Sequence, residues 1–322
     1  MKIYITRQIP EPALKILRDR GYEVTVGDGI RPPTKKEIIK ALRKKQYDGV
    51  ITLLTDPIDG DVFDAVPSAK IFANYAVGYN NIDVKEATKR GITVTNTAGN
   101  FSHTVGEHTI ALLLSLASNV VRGDRFTRAG KYRGWDPMLF IGTDLPGKTF
   151  GIIGAGRIGA SAAKMAHRGF GMKVMYTDIV QNEELENECG ARRVNTIEEL
   201  LKESDAVSLH VPLLDSTHHL INEKRLSLMK RTAYLINTSR GQVIDEKALV
   251  KALKEDQIAG AALDVYEFEP KITRGLARLQ NVVLTPHIAS STVEARSEMS
   301  KIVAENVISL LEKGVALNKV NN

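Results

Sequence analysis

The sequence predicts an α/β protein with two doubly wound parallel sheets, each in a domain of its own. Two series of short β-branched runs alternate with segments of helical periodicity, one in about the first hundred residues and the other from Lys148 onward. Strands that alternate with helices are typical of parallel sheets whose two faces are both covered. A chain of 322 residues is long enough for two domains that each bury a core.

The first series starts at the N-terminus and predicts strands at residues 3–6, 23–26, 49–54, 71–74 and 92–95. Helical patterns at residues 12–20 and 36–44 separate the earlier strands. A long helix is then predicted from near Thr104 towards Val121. The stretch after it, residues 130–147, is irregular and contains the only tryptophan, Trp135. The first sheet is therefore expected to be complete before this helix begins.

The second series predicts strands at residues 148–153, 173–176, 206–209, 234–236, 261–263 and 282–284. Residues 293–311 then carry apolar side chains at helical spacing with charges between them, which predicts a terminal amphipathic helix. The second series is thus expected to form a second doubly wound sheet.

Composition excludes several classes of protein. Apolar residues make up 43% and charged residues 25% of the chain, as in ordinary globular proteins rather than disordered or fibrous ones. The single cysteine, Cys189, rules out a disulfide framework and a thiolate zinc cluster, and we expect it to be structural. The N-terminus lacks the pattern of a signal or transit peptide, so a cytoplasmic protein is expected.

Charge and histidine patterns argue against further partners. The net charge is +6, but lysines and arginines are interspersed with acids and form no basic run with aromatics, so no nucleic acid partner is expected. The longest apolar run, residues 109–121, is shorter than the roughly 18 residues that span a bilayer, which predicts a buried helix and no membrane association. His218 and His219 are adjacent and make a poor chelate, so no metal is expected.

A glycine-rich turn joins the first strand of the second series to a helix. The motif is Gly154-x-Gly156-x-x-Gly159, and small residues follow it. The first glycine permits a tight turn, the second lets the backbone approach a pyrophosphate, and the third lets the helix pack against its strand. The phosphates then lie at a helix N-terminus, which favours anions. The pattern predicts a dinucleotide site.

An acidic residue ends the next strand of this series. Asp178 follows Gly159 by about 20 positions, where a carboxylate binds both hydroxyls of the adenosine ribose. The same carboxylate would repel the 2′-phosphate of NADP, whose sites usually carry an arginine. The sequence therefore predicts NAD as the cofactor, with NADH preferred over NADPH.

Three residues near the ends of later strands have the chemistry that reduction of a 2-keto acid requires. Arg240 follows the strand near residue 236, and its planar guanidinium suits a carboxylate. His287 follows the last strand and suits proton transfer. Glu269 is placed to hydrogen-bond the far ring nitrogen of His287 and to favour the imidazolium. On the pattern alone, surface or capping roles remain open for all three.

Several motifs, in order along nearly the whole chain, resemble those of the D-isomer-specific 2-hydroxyacid dehydrogenases, and within them the glyoxylate/hydroxypyruvate reductases. Besides the glycine loop, the matching stretches are residues 74–83, 237–241, 263–270 and 285–287. The resemblance implies a Rossmann-type NAD domain at residues 101–288, inserted into a flavodoxin-like substrate domain made of residues 1–100 and 289–322. It also implies that the domains close over a small 2-keto or 2-hydroxy acid.

The resemblance gives roles to individual residues. It implies Arg240, Glu269 and His287 as the catalytic set, with Glu269 chosen over Glu267 because the family glutamate directly precedes a proline. Arg240 would also bind substrate, together with Leu54, Val77 and Gly78. The implied cofactor contacts are Thr104, Ala155, Gly156, Arg157, Ile158, Asp178, Val211, Pro212, Thr217, Thr238, Asp264, His287 and Ala289.

A homodimer is also implied, because in glyoxylate/hydroxypyruvate reductases a tryptophan of the partner subunit closes the substrate pocket. Trp135 resembles that tryptophan, although a simple interface or core role remains open. Two departures from the family pattern leave the exact substrate open: Phe101-Ser102-His103 replaces leucine, threonine and an acid, and Ala289 replaces glycine. The alternatives are D-lactate or D-3-phosphoglycerate dehydrogenase activity, or an NAD-sensing, corepressor-like scaffold.

Overall fold

The computed structural model describes residues 1–99 and 101–321. The chain divides into two units, one formed by Met1–Asn100 with Ser291–Asn322 and the other by Phe101–Ser290. The predicted domains, residues 1–100 with 289–322 and residues 101–288, have the same discontinuous arrangement, with the second boundary shifted slightly along the chain. Residues 100 and 322 of the predicted ranges lie outside the described residues.

The first unit contains a parallel five-stranded sheet with the order β2-β1-β3-β4-β5. Its strands are β1 (Lys2–Ile5), β2 (Glu23–Val26), β3 (Gly49–Leu53), β4 (Ile71–Tyr75) and β5 (Thr93–Thr95). Its helices before residue 100 are α1 (Glu11–Asp19), α2 (Lys35–Leu42), α3 (Gly60–Asp64) and α4 (Val84–Lys89). The order reverses between β1 and β3, so the sheet has a topological switch point there.

Side chains at this switch point join the carboxyl ends of the two central strands. The buried carboxylate of Asp56 accepts hydrogen bonds from the Thr6 hydroxyl, just after β1, and from the amide of Leu53, the last residue of β3, the latter at 2.7 Å. Buried polar groups are retained when they are hydrogen-bonded in this way. Asp56 therefore sets the spacing of the two strand ends.

The second unit contains a parallel seven-stranded sheet with the order β12-β11-β10-β9-β6-β7-β8. Two helices, α5 (Ser102–Ala117) and α6 (Val120–Arg128), precede its strands. The strands are β6 (Thr149–Ile153), β7 (Lys173–Thr177), β8 (Arg192–Arg193), β9 (Ala206–Leu209), β10 (Tyr234–Asn237), β11 (Gly260–Leu263) and β12 (Val282–Leu284). The other helices are α7 (Arg157–Phe170), α8 (Glu183–Cys189), α9 (Ile197–Glu203), α10 (Glu223–Leu226) and α11 (Glu246–Lys254). The predicted fold class, with two parallel α/β sheets, is confirmed.

The long helix predicted towards Val121 is wrong at its C-terminal end. The helix α5 stops at Ala117, Asn119 adopts a left-handed backbone with φ of 53°, and α6 starts at Val120 with a bend of 62°. Asparagine tolerates this conformation better than most residues. The carbonyl of Ala117 accepts a hydrogen bond of 2.8 Å from the amide of Thr143, which satisfies a group that the break leaves open.

Among the described residues, no single helix has both the length and the apolar character needed to cross a membrane, and only the bent pair of α5 and α6 meets the requirement together.

The C-terminal helix α12 (Val293–Lys313) returns to the first unit, and its predicted amphipathic character is confirmed by its buried face. The Ser300 hydroxyl donates to the carbonyl of Pro10 and accepts from the amide of Ala13, at 2.7 and 2.9 Å. The buried Asn306 amide donates to the carbonyl of Asn96 at 2.8 Å. The chain after residue 290 therefore completes the core that the first hundred or so residues begin.

Candidate active site

The glycine loop connects the end of β6 to the start of α7, as the motif predicts. Gly154 has φ of 95°, and a Cβ there would lie 2.7 Å from the carbonyl oxygen of His210. A Cβ on Gly159 would lie 2.1 Å from the carbonyl oxygen of Gly154. Neither position accommodates a side chain. These two glycines therefore bring the start of α7 close against the sheet.

Open space surrounds Gly156, the second glycine of the motif. Gly156 is the N-cap of α7, no side chain caps this helix, and a Cβ at Gly156 would meet no atom within 4 Å. The first amides of α7, beginning at Arg157 and Ile158, have no intrahelical acceptors and carry the positive end of the helix dipole. The loop therefore fits the pyrophosphate of a dinucleotide, held by backbone amides.

Asp178 lies directly after β7 and beside this loop. Its carboxylate accepts a hydrogen bond of 2.6 Å from the amide of Ala155 and one of 3.0 Å from the amide of Val180. The predicted residues Ala155, Gly156 and Asp178 therefore come together at one strand edge. Because β6 and β7 are neighbours in the sheet, the position at the end of β7 suits an adenosine ribose beside the phosphate loop.

A histidine that the sequence analysis did not identify, His210, lies beside the glycine loop, with its carbonyl close to Gly154. His210 is half-buried, and removal of its imidazole from water lowers the pKa to about 4. Its Nε2 lies 2.9 Å from the hydroxyl of Ser208. The ring is therefore neutral at physiological pH and acts as a packed polar support. A histidine following a buried strand could have been noticed in the sequence, but its burial could not.

The predicted catalytic residues follow three adjacent strands. Arg240 comes after β10, Glu269 after β11 and His287 after β12, and these strands pair in parallel. The carboxyl ends of parallel neighbours lie at the same edge of a sheet, where open α/β folds bind ligands. The Asn237 side chain donates to the carbonyl of Arg240 at 2.8 Å and shapes the turn that carries the guanidinium.

His287 and Glu269 form the contact that the sequence predicts. The Nδ1 atom of His287 lies 3.0 Å from Oε2 of Glu269, and each side chain is 32% exposed. The other oxygen of Glu269 accepts from the amide of Tyr266 at 3.0 Å. Glu269 therefore orients the imidazole, with Nε2 left for a substrate. Glu267 instead pairs with His219, at 2.8 Å.

The charges of this group influence one another. Burial raises the pKa of the Glu269 carboxyl, but the hydrogen bond and charge of His287, the Tyr266 amide and Arg240 outweigh it, so the net pKa is lowered. Burial lowers the pKa of the Arg240 guanidinium, and the Glu269 charge opposes that change. Glu269 is therefore an anion, and Arg240 remains a cation because guanidinium pKa values are so high.

The backbone of His287 has an unusual conformation. Its φ is 55°, in the left-handed region that residues with a Cβ seldom occupy. Its amide donates to the carbonyl of Asp264 at 2.9 Å, which helps to hold this conformation. Strained backbone of this kind clusters at functional sites.

The buried side chain of Asp264 holds the rest of this turn. It accepts hydrogen bonds from the Thr285 hydroxyl at 2.6 Å and from the amides of Ile288 and Ala289, each at 2.8 Å. These donors lower the pKa of Asp264 although burial alone would raise it. The resemblance implies that Asp264 and Ala289 contact the cofactor, whereas their contacts here fix the turn that carries His287.

His108, on α5, completes this group and was missed by the sequence reasoning. Its Nε2 lies 3.3 Å from the Thr285 hydroxyl and 3.6 Å from the Asp264 carboxylate. A signal was present, since His108 lies one helical turn after Thr104, a predicted cofactor residue in the first turn of α5. Nothing in the sequence indicated which strand end faces that helix.

The remaining predicted cofactor residues follow other strands of the second sheet. Thr238 comes after β10, and its hydroxyl lies 3.2 Å from that of Thr109. Val211 and Pro212 come after β9, and the Thr217 hydroxyl donates to the carbonyl of Pro212 at 2.6 Å. These residues therefore stand at the same carboxyl edge as the glycine loop.

The predicted substrate residues Leu54, Val77 and Gly78 lie in the first unit, after β3 and β4. The Asn74 amide donates to the carbonyl of Gly78 at 2.9 Å, and the Asn96 amide donates to the carbonyl of Val77 at 2.7 Å. These bonds engage carbonyl groups of the loop rather than its amides.

The irregular stretch predicted at residues 130–147 leaves Trp135 83% exposed. Tyr132, Met138 and Ile141 in the same stretch are also exposed. A group of large apolar side chains at the surface is typical of an interaction site. Within residues 1–99 and 101–321, no group of three or more histidine, cysteine or acidic side chains is arranged to hold a metal ion.

The chain matches the model of a known protein family. Residues 110–289 match the family described as D-isomer specific 2-hydroxyacid dehydrogenase, NAD binding domain. The glyoxylate reductase of Korarchaeum cryptofilum is 50% identical, over 99% of this chain and 96% of its own length.

Two solved structures extend this similarity to the fold of nearly the whole chain. A protein of Thermus thermophilus has a TM-score of 0.92 and 40% identity, over 99% of this chain and 100% of its own. An NADPH-dependent glyoxylate/hydroxypyruvate reductase of Sinorhizobium meliloti, solved with NADP and malonate, has a TM-score of 0.84 and 32% identity, over 99% and 96%. With a dinucleotide loop on its second sheet and relatives that match from end to end, this chain belongs to the D-isomer specific 2-hydroxyacid dehydrogenase family.

Proposed function

We propose that this chain reduces a small 2-keto acid, glyoxylate or hydroxypyruvate, to the D-2-hydroxy acid with NADH. The observation that carries the proposal is the pair of His287 and Glu269, 3.0 Å apart at the strand edge that also carries Arg240. The names of the similar proteins support it, since they include a glyoxylate reductase and a glyoxylate/hydroxypyruvate reductase.

Each residue of the group has a distinct task in this proposal. When bound, NADH supplies a hydride to the keto carbon of the substrate. His287 donates its proton to the carbonyl oxygen as that oxygen gains charge, and Glu269 stabilises the imidazolium beforehand. Arg240 binds and polarises the substrate through its carboxylate and carbonyl groups. The products are the hydroxy acid and NAD, with one proton taken from His287.

The first unit and a second copy of the chain contribute the remaining contacts in this proposal. The amides near Val77 and Gly78, with Leu54, bind the substrate carboxylate. Trp135 and the exposed apolar residues around it are covered in a homodimer, where Trp135 closes the pocket of the other subunit. The exposure of Trp135 supports this role, because it costs free energy to leave so large an apolar side chain in water.

The preference for NADH rests on Asp178, and we expect Asp178→Ser to reduce it. Removing the carboxylate removes both the ribose hydrogen bonds and the repulsion of a 2′-phosphate, which is about 4 kcal/mol for unit charges 4 Å apart at an effective dielectric of 20. The ratio of kcat/KM for NADH to that for NADPH should fall by about tenfold or more, since ~1.4 kcal/mol is tenfold.

Steady-state kinetics with both cofactors measure this ratio, and Asp144→Ser, an exposed aspartate of the same unit, serves as the control. A wild-type chain that already prefers NADPH would show that Asp178 does not set the preference.

The second prediction concerns pH and the pair of Glu269 and His287. Because the net pKa of Glu269 is lowered, Glu269 stays ionised until the pH falls below the usual range of a glutamate, so activity on the acid side should be lost only there. In Glu269→Gln this acid-side loss should disappear because the titrating carboxyl is gone, and kcat should fall by roughly tenfold to a hundredfold, the value of a charge-assisted hydrogen bond.

Rate profiles of the reduction across pH check these two statements. Glu267→Gln is the matched control, because Glu267 pairs with His219 rather than His287. If Glu267→Gln changed the pH profile and Glu269→Gln did not, Glu267 rather than Glu269 would be the glutamate that supports catalysis.

A substrate panel tests the function as a whole. The purified protein is supplied with NADH and, in turn, with glyoxylate, hydroxypyruvate, pyruvate and phosphohydroxypyruvate. We expect the highest kcat/KM for glyoxylate or hydroxypyruvate. A preference for pyruvate or for the phosphorylated acid would show that the proposed substrate is wrong. If none of the four acids is turned over, a binding function would be favoured over catalysis.

A further inference from the structure

The first unit contains an open cleft of about 610 Å³ at the carboxyl ends of β1 to β4. Arg7 and Gln8 line it from the loop after β1, Asp28 from the loop after β2, and Arg296 from the first turn of α12. Leu54, Val77 and Gly78, the substrate residues of the proposed function, do not line it. A volume of this size suits a small organic ligand.

Neither arginine of the cleft forms an ion pair: in the part of the chain that the structure describes, no carboxylate lies within 4.0 Å of the guanidinium of Arg7 or Arg296. The Arg296 side chain hydrogen-bonds the neutral hydroxyl of Tyr75. Burial raises the pKa of the Asp56 carboxyl, and the charge of Arg7 partly opposes that change from a greater distance. Other arginines of this unit do form ion pairs, among them Arg20 with Glu312 and Arg31 with Glu37. Both cleft arginines are half-buried. Partial removal of a charge from water without an oppositely charged group in contact costs free energy, which a bound anion would recover.

The cleft also lies where this type of sheet binds ligands. It adjoins the switch point between β1 and β3, at which open α/β sheets place their ligands. Asp56 holds the ends of both strands, and so sets the position of Arg7. The Tyr75 hydroxyl donates to the carbonyl of Arg296 at 2.7 Å, which sets the start of α12. The arginines therefore project from anchored backbone.

We propose that this cleft, which Leu54, Val77 and Gly78 do not line, binds a small organic anion. Arg7 and Arg296 bind its carboxylate or phosphate group, for which a guanidinium fork is suited. Asp28 accepts a hydrogen bond from a hydroxyl or ammonium group of the same ligand, and Ile9 and Leu53 form an apolar wall. Two arginines and one aspartate leave the lining with a positive charge, which selects anions.

Calorimetric titration of the full-length protein, without cofactor or keto acid, tests the proposal with inorganic phosphate and malonate as probes. Since neither cofactor nor turnover is involved, the result is independent of the proposed function. We expect millimolar or tighter binding of at least one probe, and the two probes distinguish a phosphate ligand from a carboxylate ligand. The double variant Arg7→Gln/Arg296→Gln should bind that probe at least about tenfold more weakly, a loss of ~1.4 kcal/mol.

Two controls locate the binding. Arg43→Gln removes an exposed arginine outside the cleft and should leave the affinity unchanged. Arg240→Gln separates the cleft from the candidate active site, because Arg240 is itself proposed to bind carboxylates: the binding that persists in this variant belongs to the cleft. Arg7→Lys, which keeps the charge and loses the fork, should bind with intermediate affinity if the double variant is impaired by loss of contacts rather than by local unfolding.

Two results would overturn the proposal. The first is that neither probe binds in the millimolar range. The second is that affinity is lost in Arg240→Gln and retained in the double variant, which would assign the bound anion to the catalytic site. A retained thermal unfolding midpoint in the double variant confirms that the comparison is made between folded proteins.

Discussion

His287→Ala should lower kcat for reduction of glyoxylate or hydroxypyruvate by about 10²- to 10⁴-fold, the usual contribution of a positioned general acid. The alanine removes the only group of the pair that can reach the carbonyl oxygen, because Nδ1 is engaged by Glu269 at 3.0 Å and Nε2 faces the substrate in the proposed mechanism. NADH binding, followed by fluorescence titration, should change little, since the loss concerns proton transfer.

A matched control separates chemistry from packing. His167→Gln alters another half-buried histidine of the same unit, whose Nδ1 lies 3.0 Å from the carbonyl of Met172. It should retain kcat near the wild-type value. If His287→Ala keeps kcat within a few-fold of wild type under conditions where chemistry limits the rate, another residue must supply the proton.

Arg240→Gln is expected to have the second large effect. Losing one partner of a largely desolvated charge pair costs about 2 to 4 kcal/mol, so kcat/KM should fall roughly 30- to 700-fold. Burial lowers the pKa of this guanidinium, which indicates that its charge is partly removed from water. A charge in this environment interacts more strongly with a bound anion. Both KM and kcat should suffer, because the residue binds the carboxylate and polarises the carbonyl.

The conservative variant sharpens this test. Arg240→Lys keeps the charge but loses the planar fork, and should fall between the wild type and Arg240→Gln. Arg231→Gln, an exposed arginine of the same unit, is the control. A glutamine variant with unchanged KM and kcat would exclude Arg240 from substrate binding.

The sheets were predictable because their strands are runs of apolar and β-branched residues. Phe150 and Ile152 show this in β6, where both are fully buried. A short strand and a helix break were not predicted. The strand β8 consists of Arg192 and Arg193, which carry no apolar signal and are placed only by pairing with β7. The break after α5 lies at Asn119, and it is accompanied by the distant bond from the Thr143 amide to the Ala117 carbonyl, a partner that the local sequence does not reveal.

The candidate site was predictable as far as strand ends are visible in a sequence. Arg240, Glu269 and His287 each follow a strand, and the parallel order of β10, β11 and β12 brings those ends together. The hydrogen bonds that Asp264 accepts from Thr285, Ile288 and Ala289 were not predictable, because they depend on which donors face the buried carboxylate in the folded chain.

The return of α12 to the first unit has a consequence for biosynthesis. The second unit is one continuous stretch, Phe101–Ser290, so all of it is synthesised before α12. The first sheet meanwhile lacks the helix that covers it, including Val303 and Val307, which are fully buried in the finished protein. Domains tend to fold as units during synthesis. The unit that starts the chain therefore completes its core only after the whole second unit has been synthesised.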